Sequence, residues 1–241
     1  MPTNQDKEIR TRIAPSPTGD LHIGTARTAL FSYLFAKQNG GKFIMRIEDT
    51  DKERSEDKFE KDILEGLEWL GLTADEMYRQ SERTDVYKKY IQQMLDAGTA
   101  YISKEESKQE AGKEIEVVRL KNQNKKVKFE DMVRGEIEFD TTELGDFVIA
   151  RSVDDPLYHL AVIIDDFEMG ITHIIRGEDH ISNTPRQILI QEALGIERPK
   201  YAHIPLILAP DRSKMSKRRN ATSITEYRQK GYISEALVNY M

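Results

Sequence analysis

The sequence predicts an α/β protein built on a parallel sheet, and three observations lead to that fold class. Residues 9–14 alternate apolar and polar side chains, as a half-buried strand does. From Ile23 apolar residues recur at helical spacing until Gly40 offers a helix stop. Residues 43–47 then form a second strand that is apolar enough to be buried. A strand–helix–strand order with a helix of this length is a βαβ unit, and the strands of such a unit are parallel.

The connection between the first strand and the first helix is rich in proline and glycine. Pro15, Pro17 and Gly19 break the strand and force a defined turn. The helix that follows points its first backbone N–H groups and the positive end of its dipole above the strand, which makes a phosphate site. His22 adds a side-chain donor there, and Gly24 leaves room for a phosphate or ribose to approach. The alternative is an ordinary strand–turn–helix with a surface histidine.

An acidic cluster, Glu48 to Asp51, follows the second strand. It therefore lies at the carboxyl end of that strand, beside the first turn, where ligands bind in open α/β sheets. Acidic residues at this position also cap helices. We expect Asp51 to cap the next helix and Glu48 to have a functional role.

The rest of the chain predicts two amphipathic helices, an insertion and a return to the α/β pattern. Residues 99–157 are rich in Lys and Glu with short alternating pieces, which favours a small α+β insertion with hairpins. Periodicity does not decide between helix and strand for residues 158–167. The other predicted elements are helices at 58–70, 84–95 and 184–194, strands at 171–175 and 203–208, and a helix that runs to Met241.

Composition limits the class of protein. The chain has 38% hydrophobic and 32% charged residues, no cysteine and a formal net charge of −6. We expect no disulfide, no zinc site, no membrane span and a cytoplasmic location, because neither an apolar run of about 20 residues nor a secretion signal is present. Two basic stretches, 119–128 and 212–219, are either solvated surface or nucleic-acid contacts.

Four motifs occur in order and at compatible spacing: residues 14–24 (Ala-Pro-Ser-Pro-Thr-Gly-Asp-Leu-His-Ile-Gly), 46–51 (Arg-Ile-Glu-Asp-Thr-Asp), 176–180 (Arg-Gly-Glu-Asp-His) and 214–218 (Lys-Met-Ser-Lys-Arg). Together they resemble bacterial glutamyl-tRNA synthetases of class I. The resemblance implies a Rossmann-like sheet with helices on both faces, interrupted by a connective insertion that grips the tRNA acceptor stem. It implies ATP-dependent activation of L-glutamate, with Mg²⁺ accompanying ATP, and transfer of the glutamyl group to tRNA(Glu) by a monomer.

The resemblance also implies a division into domains. Residues 1–98 and 158–211 would be the two halves of the catalytic domain, and 99–157 the connective insertion. Residues 212–241 would contain the lysine loop and the start of a helical stem-contact domain. We expect the chain to be an N-terminal catalytic fragment that lacks the anticodon-binding domain.

The chemistry of the substrate agrees with the residues inside the motifs. Glutamate has two carboxylates and one ammonium, so its pocket needs guanidinium groups and a carboxylate. The resemblance places glutamate between Arg12, Ala14, Ser16, Glu48, Tyr158 and Arg176. It places ATP on Thr18, Gly19, His22, Gly24, Lys214 and Lys217, and it gives catalytic roles to His22, Lys214 and Lys217, with no metal ligand in the protein.

The sequence departs from the family pattern at several positions. Thr25 replaces the second histidine of the His-Ile-Gly-His motif, Arg219-Asn220 follows the lysine loop where a His-Gly pair is frequent, and the insertion is short. A glutamyl-queuosine-type enzyme, which usually has cysteine zinc ligands and glutamine where Arg218 stands, is one alternative. A silent nucleotide- or tRNA-binding module, expected to have lost His22 or Lys217, is another. A small nucleotidyltransferase is a third, disfavoured by the insertion.

Overall fold

The computed structural model describes residues 8–51, 53–106, 112–208 and 223–241. The chain divides into two compact units. The first unit comprises Met1–Glu82, Ile171–His180 and Lys200–Met241, and the second comprises Arg83–Gly170 and Ile181–Pro199. In chain order the elements are β1 (Arg10–Ile13), α1 (Ile23–Gln38), β2 (Lys42–Ile47), α2 (Asp57–Trp69), β3 (Glu76–Arg79), α3 (Thr84–Asp96), β4 (Ala100–Glu106), β5 (Glu114–Leu120), β6 (Lys126–Asp131), β7 (Gly135–Asp140), β8 (Phe147–Ser152), β9 (Asp155–Pro156), α4 (Tyr158–Glu168), β10 (His173–Gly177), α5 (Thr184–Leu194), β11 (Lys200–Ile204), α6 (Ile224–Gln229) and α7 (Ser234–Tyr240).

A parallel sheet organises the first unit and confirms the predicted α/β class. β2 lies between β1 and β3, and β10 pairs with β11, all in parallel. β10 runs beside β1, because the Thr172 backbone N donates to the Arg10 carbonyl oxygen at 2.9 Å. The strand order across the unit is therefore β3-β2-β1-β10-β11. The carboxyl ends of β1, β2 and β10 meet at one edge, where ligands of such sheets bind.

One face of this sheet packs against α1. The Thr11 hydroxyl donates to the Ser32 carbonyl oxygen of α1 at 2.8 Å, and the His173 ring lies 4.8 Å from the ring of Phe35 on the same helix. The core on this face also contains α2. Its buried apolar members include Ile13, Ile23, Leu30, Phe43, Ile47, Ile63 and Leu67. The two helices therefore share one face, and α1 ends before Gly40, whose φ of 64° suits a residue without a side chain.

Glu76 is the centre of an ion-pair cluster on β3. Arg10 donates two hydrogen bonds to its carboxylate, at 3.0 and 2.7 Å, and Lys42 and Tyr78 donate one each, at 3.0 and 2.9 Å. The hydrogen bonds from Arg10, against the opposing cost of partial burial, lower the pKa of Glu76 to about 2. The carboxylate therefore stabilises the fold in its ionised form.

This cluster predicts an acid-sensitive contribution to stability. Because the pKa of Glu76 is lower in the folded than in the unfolded chain, its contribution is complete above about pH 4.5 and is lost as the pH falls towards 2. At pH 7, Glu76→Gln should lower the free energy of unfolding by roughly 1–2 kcal/mol, a figure discounted for partial exposure. Urea unfolding should show this difference from the wild type shrinking between pH 5 and pH 2.5. A constant difference would contradict the assignment.

The second unit combines antiparallel strands with helices. β4, β5, β8 and β9 form one antiparallel sheet in that order, and β6 pairs with β7 in a hairpin. On the helical side, the Asp165 carboxylate of α4 is fully buried and accepts from Arg83 Nε at 2.7 Å and from the Tyr87 hydroxyl at 2.9 Å. A buried carboxylate needs such partners, since burial without them is costly.

Several elements differ from the sequence-based expectation. The strand predicted at 203–208 is Lys200–Ile204, and β3 was not predicted. Instead of one helix running to Met241, the structure has α6 and α7, separated at Gly231, whose φ is 84°. The described parts of 99–157 contain hairpins and a short 3-10 turn at Thr142–Leu144 but no α-helix, because Lys and Glu there alternate with strand-forming residues. Residues 158–168 form a helix. The predicted domain boundaries stay predictions.

None of the helices in the described ranges has both the length and the apolar character needed to cross a membrane.

The basic stretch 119–128 carries ion pairs within the second unit. Arg119 Nε lies 2.5 Å from Glu105 Oε1, and the Nζ atoms of Lys126 and Lys128 each lie 2.9 Å from a Glu138 oxygen. These pairs favour the solvated-surface interpretation for those three cations.

Candidate active site

The proline-rich turn after β1 is tied to the end of β2. The Pro15 carbonyl oxygen accepts from the Glu48 backbone N at 3.0 Å, and the Ser16 carbonyl oxygen accepts from the Thr18 backbone N at 2.9 Å. The Ser16 and Thr18 side chains are exposed, whereas Ala14 and Gly19 are half-buried. The turn therefore presents its polar side chains to solvent next to the predicted acidic residue.

His22 is the N-cap of α1. Its Nδ1 atom accepts a hydrogen bond from the Gly24 backbone N at 3.0 Å. The sequence predicted that this N–H would point at a ligand, and the capping bond corrects that expectation for Gly24. Because Nδ1 accepts, the neutral ring has its proton on Nε2, which becomes a hydrogen-bond donor. A Cβ atom at residue 24 would lie 3.2 Å from His22 Nδ1, so glycine lets the ring approach the helix.

Two carboxylates of the acidic cluster after β2, Glu48 and Asp51, have different partners. Glu48 Oε1 lies 3.1 Å from Nη2 of Arg46, which is fully buried, and Glu48 itself is 11% exposed. Asp51 accepts from the Arg54 backbone N at 3.3 Å, inside the turn before α2. The N-cap of α2 is Glu56, so the prediction that Asp51 caps the helix is wrong. Asp51 instead stabilises the approach to the helix, because its oxygens bond locally.

Arg12 and Arg176 lie on the same face of the parallel sheet. Thr11 and His173 face α1, and side chains alternate along a strand, so both guanidinium groups lie on the opposite face. Each arginine is only 5% exposed. Arg12 is on β1 and Arg176 is near the carboxyl end of the neighbouring β10. Two buried positive groups therefore lie on adjacent strands.

Arg176 is held by two residues of β11. Its Nε atom donates to His203 Nε2 at 3.0 Å, and its guanidinium carbon lies 5.7 Å from the centre of the Tyr201 ring. His203 is directly opposite Arg176 in the parallel register and is fully buried. Because His203 accepts at Nε2, it fixes the orientation of the guanidinium plane.

The structure groups most of the predicted site residues in the first unit. They follow or belong to β1, β2 and β10, and they are Arg12, Ala14, Ser16, Thr18, Gly19, His22, Gly24, Glu48 and Arg176. Tyr158 is the first residue of α4 in the second unit, where its side chain is 42% exposed. Lys214 and Lys217 lie outside the described residues, as does the basic stretch 212–219.

Sequence reasoning missed three side chains that hold this site together. Arg46 pairs with Glu48, His203 accepts from Arg176, and the Glu178 carboxylate accepts from the Leu206 backbone N at 3.1 Å. Arg46 and Glu178 stand inside quoted motifs, so the motif itself was an available signal. His203 could be found only from the strand register. Within the described ranges, no group of three or more His, Asp or Glu side chains could hold a metal ion.

Comparison with known proteins decides the family. The model of the class I tRNA synthetases for glutamate and glutamine (E and Q), catalytic domain, matches residues 8–111 and 102–241. The chain belongs to this family. The two matches overlap at residues 102–111 and together cover the chain from residue 8 to residue 241.

Several synthetases resemble the chain in sequence and structure. The glutamate–tRNA ligase of Aquifex aeolicus (strain VF5) is 49% identical over 267 residues, which cover 97% of this chain and 56% of the relative. Glutamate–tRNA ligase 1 of Petrotoga mobilis is 50% identical over 256 residues, which cover 97% of this chain and 55% of the relative. The chain therefore spans about half the length of these synthetases.

A solved structure supports the same assignment. The glutamate tRNA ligase of Elizabethkingia meningosepticum, in complex with its amino acid, superposes with a TM-score of 0.88 at 34% identity. The match covers 97% of this chain and 60% of that synthetase. The chain thus has the Rossmann-like fold of the family's catalytic domain.

Proposed function

We propose that the chain activates L-glutamate with ATP and, as part of a glutamate–tRNA ligase, transfers the glutamyl group to the 3′ end of tRNA(Glu). The observation that carries this proposal is the placement of Arg12 and Arg176 on one sheet face, both buried. Two guanidinium groups on adjacent strands suit a ligand with two carboxylates. The names of the relatives support the same substrate.

Each group of glutamate has a candidate partner. Guanidinium groups bind carboxylates through two parallel hydrogen bonds, so Arg12 and Arg176 would each hold one carboxylate. Glu48 would accept from the ammonium group, with Arg46 orienting its carboxylate. Ala14 and Ser16 would line the same pocket, and the Tyr158 hydroxyl would donate from its wall.

ATP would bind over the turn that leads into α1. His22 would donate from Nε2 to a phosphate oxygen, Gly24 would allow the nucleotide close to the helix, and Thr18 and Gly19 would line the approach. Lys214 and Lys217 would stabilise the triphosphate.

In the activation step a glutamate carboxylate oxygen attacks the α-phosphorus, and the bond to pyrophosphate breaks with its electron pair. In the transfer step a ribose hydroxyl oxygen of tRNA attacks the carbonyl carbon, AMP leaves, and the hydroxyl proton is released.

Mg²⁺ would arrive with ATP. Among the described residues no group of three or more His, Asp or Glu side chains could hold a metal ion, and we derive no step through Mg²⁺. Mg²⁺ commonly keeps several waters and binds to substrate phosphates.

We also propose that the connective segment 99–157 binds the acceptor stem of the tRNA. We propose that the protein is a cytoplasmic monomer.

Pyrophosphate exchange into ATP tests this function. We expect glutamate-dependent exchange to require tRNA and to be weak, because the chain spans only about half of its relatives and the resemblance implies that tRNA completes the site. The assay compares exchange with glutamate, with and without tRNA(Glu). Absence of glutamate-dependent exchange in both conditions, from a folded chain, would contradict the proposed activity.

A further inference from the structure

Helix α2 contacts two chain segments that are far apart in sequence, and one of its side chains accepts hydrogen bonds from both. The Asp62 carboxylate accepts from the Leu21 backbone N at 2.7 Å through Oδ2. Its other oxygen, Oδ1, accepts from the Thr225 hydroxyl at 2.5 Å. Leu21 immediately precedes His22, and Thr225 belongs to α6. A single carboxylate thus connects the histidine turn to the start of α6.

The two segments also bond directly to each other. The Ile224 backbone N donates to the Leu21 carbonyl oxygen at 2.9 Å, and His22 and Ser223 form an isolated antiparallel bridge. Leu21 and Ile224 are each only 1% exposed. These backbone contacts fix the position of His22 relative to α6. They do not attach His22 and α6 to α2, so side chains of α2 have to do so.

Gly66 supplies the apolar part of this contact. It lies one helical turn after Asp62, on the same face of α2. A Cβ atom at residue 66 would lie 2.8 Å from Leu21 Cδ2 and 3.7 Å from Ile224 Cγ2. Glycine therefore lets both apolar side chains reach the helix, while Asp62 supplies the hydrogen bonds. Together they hold the two segments against α2.

We propose that Asp62 is a positioning residue for the nucleotide site, acting through Leu21 on His22 and coupling that turn to α6 through Thr225. The inference rests on the proposed function of His22 as a phosphate donor. A carboxylate suits this role because it offers two acceptor oxygens and no donor, so it can serve both segments at once. Asparagine is uncharged and has one acceptor oxygen, so if that oxygen accepts from the Leu21 amide, the Thr225 hydroxyl has to accept from the asparagine amide instead of donating.

The chain contains its own reporter for this contact. Trp69, the only tryptophan of the sequence, lines a groove of about 550 Å³ between α2 and α6, together with Asp62, Thr225 and Arg228. The fluorescence of Trp69 should therefore respond when α6 separates from α2. Glu65 lines the same groove but is exposed, and its oxygen lies 3.7 Å from Lys61 Nζ, so Glu65→Gln is a matched control.

The experiment measures ATP binding by equilibrium dialysis with radiolabelled ATP, alongside Trp69 fluorescence and amide hydrogen exchange. For Asp62→Asn we expect Kd for ATP to rise about tenfold, because both hydrogen bonds lose the charge of the carboxylate and the Thr225 hydroxyl has to reverse its direction. We also expect faster exchange at the Leu21 amide and a changed Trp69 emission. Thr225→Ala should raise Kd for ATP several-fold, Thr225→Ser should restore binding by keeping the hydroxyl, and Glu65→Gln should bind as the wild type.

Two results would overturn the proposal. One is ATP binding by Asp62→Asn within about twofold of the wild type. The other, which also covers an Asp62→Asn chain that fails to fold, is equal Kd for ATP in Thr225→Ala and Thr225→Ser. The proposed function is tested separately by pyrophosphate exchange. A wild type that binds ATP but shows no glutamate-dependent exchange would contradict that function, and the ATP Kd values of the variants would still test the role of Asp62.

Discussion

Replacing Arg176 with alanine is expected to lower kcat/KM for glutamate at least about a hundredfold in the tRNA-dependent exchange assay. The change removes a buried guanidinium that would make two charge-assisted hydrogen bonds to a carboxylate, each contributing roughly 1.5–3 kcal/mol. Most of the loss should appear as a higher KM for glutamate, with KM for ATP much less affected. Initial exchange rates over a range of glutamate concentrations measure the effect.

Two further variants separate this role from a general loss of structure. Arg176→Lys keeps the charge but not the planar pair of donors, so we expect it to recover only a small part of the activity. Arg54→Ala removes an exposed arginine whose partner is Asp51, and it should behave as the wild type. An Arg176→Ala chain that folds normally and keeps the wild-type KM for glutamate would show that this guanidinium does not bind the substrate.

Replacing Lys217 with alanine is expected to abolish the exchange that the chain supports. Charge accumulates on the pyrophosphate as it leaves, and a lysine on a flexible stem can neutralise it in the transition state. The second lysine of the Lys-Met-Ser-Lys motif is the position that the resemblance assigns to this contact. The same exchange assay measures the loss, and Lys61→Ala, which removes an exposed lysine of α2, is the control. Unchanged exchange in Lys217→Ala would disprove the role given to this motif.

Much of the first unit could be predicted from local sequence. The alternating residues of β1, the apolar run of β2 and the glycine after α1 each act within a few residues, so a single pass along the chain finds them. Apolar spacing was less reliable in detail. Leu34 fits the helical period of α1 yet is 52% exposed, whereas Ala29 and Leu30 are buried in the core.

Elements that depend on tertiary contacts could not be predicted in the same way. β3 is only four residues long. It forms because it pairs with β2 and because charged side chains from other strands surround Glu76, and these contacts are not visible in the local sequence. The strand predicted at 203–208 in fact begins at Lys200, since pairing with β10 sets its start. The helix at 158–168 was ambiguous because its residues are apolar on nearly every side.

The candidate site shows the same division. Motifs at strand ends identified Arg12, His22, Glu48 and Arg176, because the carboxyl ends of parallel strands meet at one edge. The residues that orient these side chains could not be identified from the sequence. His203 reaches Arg176 through strand register, and Asp62 reaches Leu21 from a separate helix 41 residues away. Side chains that position others are therefore harder to find than those that face the substrate.

The central claim is that two buried guanidinium groups on one sheet face select a dicarboxylic amino acid. The most direct test compares pyrophosphate exchange with glutamate, glutamine and aspartate in the presence of tRNA(Glu), since the family itself includes synthetases for both glutamate and glutamine. We predict that kcat/KM for glutamate exceeds that for glutamine by at least about a hundredfold, because the amide of glutamine has no charge for the second arginine. Aspartate, one methylene shorter, should also be poor. Equal activity with glutamate and glutamine would contradict the claim.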